Sequence, residues 1–80
     1  MGKFKLRAFG VTKEILGGKE LVVEANASTV GGLRTYLEEH YPGLVQLRSL
    51  MIAVNDVYAE DSQALSETDE IALIPPVSGG

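Results

Sequence analysis

Lys3-Phe4-Lys5-Leu6-Arg7-Ala8-Phe9 alternates charged and apolar side chains with a period of two, the pattern of a β-strand that buries one face and wets the other. Phe4, Leu6 and Ala8 fall on the buried face, and Lys3, Lys5 and Arg7 on the wet one. Phe9 follows in phase with the charged residues, so an aromatic ring is expected on the outer face where the strand ends. Working outward, Val11 to Leu16 has room for a short helical turn and Gly17-Gly18 makes a tight connection. Lys19 to Ala25 then reads as a second strand, so a hairpin opens the fold.

Ser28 or Thr29 is placed to cap a helix whose apolar positions Val30, Leu33, Leu37 and Tyr41 recur at three- and four-residue spacing. Pro42-Gly43 stops it. Met51 to Val54 is a short β run ended by the turn pair Asn55-Asp56, with Val57-Tyr58 returning as a minor strand. The polar stretch from Glu60 to Asp69 around Leu65 reads as loop or a short helical turn. Glu70-Ile71-Ala72-Leu73-Ile74 is a last strand, which Pro75 and Pro76 end because neither can donate to a ladder. This order predicts an α+β roll, a mixed sheet packed on one main helix, which is the β-grasp arrangement of ubiquitin. In that arrangement the first and last strands lie side by side at the centre of the sheet. The expected organisation is one domain over residues 1–74 and a flexible tail over 75–80.

The 80 residues suffice for a single thin core, since a domain this small buries only about 60 to 65% of the surface its unfolded chain exposes. With no cysteine there is no disulfide, thiolate metal site or cysteine nucleophile, which fits a reducing cytoplasm. Charged residues interrupt the first apolar positions and no apolar run approaches a membrane span, so a soluble protein is expected. Seven basic residues face eleven acidic ones, for a net charge of −4. From Tyr41 onward Arg48 stands alone against Asp56, Glu60, Asp61, Glu67, Asp69 and Glu70. That balance argues against nucleic acid and for either a basic protein partner or simple solubility.

Enzyme chemistry finds little to work with. His40 is the only histidine, so no pair has metal-ligand spacing, and its place near a helix C-terminus suits a structural role beside the last carbonyls. Gly31-Gly32 lacks the lysine and the spacing of a phosphate loop, and close packing of helix on sheet is the expected reason for it. More informative are two apolar residues on wet faces, Phe9 beside Lys3, Lys5 and Arg7, and Ile74 beside Glu70 and Ala72. If their strands are neighbours, the two meet and, with Val57 or Val22, form an apolar docking patch near the tail. After Glu70 the chain carries no charged side chain and ends Pro75-Pro76-Val77-Ser78-Gly79-Gly80. Prolines stiffen the exit and glycines add no bulk, so such an end threads a narrow channel and offers one carboxylate at its tip. An ordinary mobile terminus is the plain alternative.

The ending Asp69-Glu70-Ile71-Ala72-Leu73-Ile74-Pro75-Pro76-Val77-Ser78-Gly79-Gly80 resembles the C-terminal signature of the small, sulfur-carrying subunits of molybdopterin synthase. Ala53-Val54-Asn55, Leu65 with its acidic turn, Phe9-Gly10 and Lys13-Glu14 also match that family's pattern. The resemblance implies a non-catalytic subunit that binds no metal or cofactor of its own. A ubiquitin-activating-type enzyme would use ATP to adenylate Gly80, and a persulfide donor would convert it to a thiocarboxylate. The tail, Gly79 and Gly80 foremost, would then enter the large catalytic subunit and pass sulfur to precursor Z in molybdenum cofactor synthesis. Phe9, Val57 and Ile74 are the candidate docking residues. The family often has an aromatic residue where this chain has Ile74. Alternatives with the same ending are a thiamine-type or tRNA-thiolation carrier, whose thiamine form usually lacks the double proline, and a ubiquitin-like protein modifier.

Overall fold

The computed structural model describes residues 2–47 and 50–75. Five strands form one mixed sheet in the order β2-β1-β5-β3-β4: β1 is Gly2–Ala8, β2 Glu20–Ala25, β3 Met51–Val54, β4 Val57–Tyr58 and β5 Glu70–Ile74. β1 runs antiparallel to β2 and parallel to β5, with Leu6 opposite Leu21 on one side and beside Ile71 on the other. β5 continues antiparallel to β3, Leu73 facing Ile52 and Ile71 facing Val54. The last strand is therefore the central one, paired on both sides, and β1 is its parallel neighbour. The β-grasp roll expected from the order of elements is the fold observed.

One face of the sheet is covered by α2 (Val30–His40), which buries Val30, Leu33 and Leu37 against Phe4, Leu6, Ile52, Ile71 and Leu73. Spacings of three and four residues put these helical side chains on one stripe, and burying each contributes roughly 1.5–3 kcal/mol. Thr29 is the N-cap and accepts the Gly32 N–H at 3.1 Å. Val30 and Gly31, whose N–H groups also have no partner within the helix, donate to Gln63 O at 2.9 Å and Asp61 O at 2.8 Å. The polar loop 59–69 thus caps the helix, and Leu65 packs against the core beneath it.

Gly31 owes its place to that loop, because a Cβ there would stand 3.0 Å from Asp61 Cβ and 3.1 Å from its carbonyl oxygen. The expected close approach is real but is made to the loop, not to the sheet. The helix ends at His40, so Tyr41 leaves the helical path with φ −131° and is only half-buried, while a 3-10 helix, Pro42–Gln46, follows. His40 stacks on Tyr36 with ring centroids 4.0 Å apart, and its Nδ1 lies 2.9 Å from Tyr36 O, a local structural use of the ring. α1 (Val11–Leu16) fills the β1–β2 connection and closes on Gly17, which takes the left-handed conformation at φ 84°.

Candidate functional site

The uncovered face of the sheet divides into two halves. Toward β2 it is ionic: Lys3 meets Glu24 at 3.8 Å, Arg7 meets Glu20 at 3.9 Å, and Lys5 lies in register with Glu70. Val22 belongs to this half, opposite Lys5, and lines a hollow of about 380 Å³ with Lys5, Arg7, Glu20 and Glu70. Toward β3 and β4 the face turns apolar. Phe9, Ile74, Ala72, Ala53 and Tyr58 line a shallow depression of about 240 Å³, with Arg7, Asp56 and Glu70 also lining it. The ionic hollow is larger, but the apolar one adjoins the end of β5 and so matters more for the chain that leaves there.

The strand register assembles this patch. Ala72 lies between Arg7 and Ala53, and Ala53 faces Tyr58 on β4, so two small side chains floor the depression while larger ones stand around it. Met51 faces Ile74 at the same end. Phe9 is 46% exposed and Tyr58 62%, large apolar areas left in water beside the exit of the last strand. β1 and β5 are neighbours, the condition on which the meeting of Phe9 and Ile74 depended, and both residues line the depression.

Val57 is not part of the patch. It pairs with Val54, whose side chain is in the core, so Val57 projects on the helix-covered side of the sheet. Tyr58 takes the position expected for it. The signal was present in Asn55-Asp56, a two-residue turn with both residues at positive φ (52° and 68°), which fixes the hairpin register and hence the face of each following residue. Asn55 holds that turn to β5. Its N–H donates to Glu70 O at 2.8 Å, its side-chain oxygen accepts the Glu70 N–H at 3.0 Å, and its amide donates to Asp69 at 3.0 Å.

Pro75 is the last described residue of the site. It rests against Gly10, where a Cβ would come within 3.0 Å of the proline ring, and Gly10 has φ 56°, a conformation that favours glycine. Beside them Thr12 is completely buried, its hydroxyl accepting the Phe9 N–H at 2.8 Å and donating to Phe9 O. The sequence reading had no means of singling out Thr12, a polar residue in a short turn. Pro76, Val77, Ser78, Gly79 and Gly80 lie outside the described residues.

The sheet has its last strand at the centre and an apolar face beside that strand's end, and the sequence carries a diglycine beyond. The chain matches the ThiS family over residues 6–80. It belongs to that family. Among its relatives is the molybdopterin synthase sulfur carrier subunit of Caenorhabditis briggsae, 38% identical over 84 aligned positions that span the whole of both chains. Of the solved structures, small archaeal modifier protein 1 of Methanosarcina acetivorans has a TM-score of 0.80 at 25% identity, covering 100% of this chain and 98% of its own. The complex of subunits 1 and 2 of the molybdopterin-converting factor from Helicobacter pylori holds a chain with a TM-score of 0.69 at 29% identity, covering 98% of this one and 99% of its own. As a ThiS-family member, the chain shares its fold with proteins named as sulfur carriers and as a protein modifier.

Proposed function

We propose that this ThiS-family chain is the sulfur carrier subunit of a molybdopterin synthase, with the carboxylate of Gly80 as the group that carries sulfur. The observation that carries the reading is the exit of the chain at Ile74-Pro75, from the central strand and beside the apolar depression. A partner seated on Phe9, Ile74 and Tyr58 meets the chain where it leaves the sheet at Pro75. Proline fixes φ, so two successive prolines in the sequence restrict the exit, and Val77, Ser78, Gly79 and Gly80 are small residues suited to a channel.

A free carboxylate resists attack by sulfur nucleophiles, so the carrier depends on an adenylating enzyme of the ubiquitin-activating type. That enzyme joins the Gly80 carboxylate to AMP and releases pyrophosphate from ATP. The terminal sulfur of a persulfide donor then displaces AMP to form an acyl disulfide, and attack of a thiol on the donor's sulfur breaks the S–S bond, releasing the thiocarboxylate and leaving the donor in a disulfide with that thiol. In the large subunit the thiocarboxylate sulfur is transferred to precursor Z, and water supplies the oxygen with which the chain returns as carboxylate. Side chains that catalyse these steps belong to the partners, and this chain supplies the docking face and the carried group.

The test is the intact mass of the protein after incubation with ATP, an adenylating partner and a sulfur source. A gain equal to exchanging one oxygen for sulfur, absent when Gly80 is deleted, supports the carrier. An unchanged mass with a competent activating enzyme overturns it. Likeness to the archaeal modifier protein favours a second reading, in which a target lysine attacks the same adenylate. Isopeptide-linked adducts in extracts of the source cells support that fate.

A further inference from the structure

We propose that Met51 is a site of reversible oxidation by peroxides, and that its sulfoxide weakens the docking of the sheet's apolar face on the large subunit. The effect on docking rests on the sulfur-carrier reading above; the oxidation itself does not. The chain has no cysteine and two methionines, Met1 and Met51, so thioethers are its only side-chain sulfur. Met51 holds the only one among the described residues, and no step of the carrier cycle uses it.

That thioether sits where oxidation has a consequence. Ile52 and Val54 are in the core, so the alternation of β3 turns Met51 and Ala53 to the uncovered face. Ala53 floors the apolar depression, and Met51, next along the same face, pairs with Ile74, which lines it. Directly opposed residues of antiparallel strands have Cβ atoms about 4.5–5.5 Å apart, so the Met51 side chain extends the apolar patch at the end where the chain leaves the sheet. Met51 is also 41% exposed and open to a small oxidant. Leu50 before it is buried, and its carbonyl accepts a hydrogen bond from Arg34 Nη1 at 2.8 Å. The thioether is therefore accessible on an anchored stretch of backbone.

The chemistry is a two-electron oxygen transfer. A sulfur lone pair attacks one oxygen of hydrogen peroxide and the O–O bond breaks. The attacked oxygen stays on sulfur as the sulfoxide, and its proton passes to the departing hydroxide, which leaves as water. Sulfur is oxidised and peroxide reduced. A thiol-dependent reductase restores the thioether, releasing the oxygen as water while two thiols become a disulfide. The sulfoxide puts a polar S–O group where a partner covers apolar surface, and burying that group unpartnered opposes docking.

In the test, the carrier alone is treated with hydrogen peroxide, freed of it and compared with untreated protein. Peptide mass mapping should find one added oxygen on Met51, gained at a rate within about tenfold of that of free methionine. The Ile74 methyl resonances should shift while the circular dichroism spectrum is kept. By titration calorimetry the Kd for the large subunit should rise about tenfold, and return after methionine sulfoxide reductase and dithiothreitol. In Met51→Leu, whatever its own starting affinity, treatment should leave Kd where it was, which separates Met51 from Met1. Four results would each overturn the proposal: an unmodified Met51 in the folded protein, a change in Kd below about twofold on full oxidation, a lost circular dichroism spectrum, or an equal rise in treated Met51→Leu. If the untreated chain never binds the large subunit the carrier reading fails, and the mapping and the Ile74 shift in the free protein still decide for or against the oxidation site.

Discussion

Phe9, Tyr58 and Val57 differ little in exposure yet should differ sharply in consequence. Phe9 and Tyr58 stand around the apolar depression, while Val57 points to the other side of the sheet. Phe9→Asp and Tyr58→Asp should each leave stability within about 0.5 kcal/mol, as exposed substitutions usually do. Each should weaken binding to the large synthase subunit by at least about 1–2 kcal/mol, and Val57→Asp should leave binding unchanged. Titration calorimetry of the three variants against that subunit checks the assignment. Gly10 makes a different demand. Gly10→Ala brings a Cβ to 3.0 Å from Pro75 Cγ at a φ of 56°, and should cost at least about 1 kcal/mol in urea unfolding. A smaller loss would mean that Pro75 gives way easily, and with it the fixed exit.

At the scale of elements, α2 has its stability in its stripe. Leu37→Ala removes a fully buried side chain and should cost about 2–5 kcal/mol, read from the denaturation midpoint. The β3–β4 turn concentrates its stability in one residue: Asn55→Ala loses both side-chain hydrogen bonds to residues 69 and 70 and must keep φ at 52°, so a loss of about 2 kcal/mol is expected. These elements were readable in the sequence because periodicity reports them directly. The two-residue alternation of β1 and the spacing of Val30, Leu33 and Leu37 each name a face without outside help. Features set by contacts between distant segments were not readable. Gly31 answers to a loop thirty residues on, Gly10 to the ring of Pro75, and the 3-10 helix Pro42–Gln46 leaves Val45 exposed and carries no periodic signal. Val57 and Tyr58 fall between these cases, since the turn type fixes their faces but only once the pairing of β3 with β4 is counted residue by residue.

At the scale of the molecule, the ion pairs among the described residues contribute little to stability. The Lys3–Glu24 and Arg7–Glu20 pairs are exposed and long, and even Arg34–Asp61, at 3.1 Å, has its carboxylate in water. Raising NaCl from low to molar concentration should therefore move the guanidinium-free thermal midpoint by no more than a few degrees, as a thermal scan would register. What unites the molecule is β5, through which the β2–β1 half of the sheet meets the β3–β4 half. Mechanically this makes the chain's exit a well-anchored tether. A pull on residues beyond Pro75 acts along the axis of β5, across hydrogen bonds to β1 on one side and β3 on the other, so many rungs bear the load at once instead of parting one after another. Load arriving at Pro75 is thereby spread over the whole sheet, and the body keeps its shape.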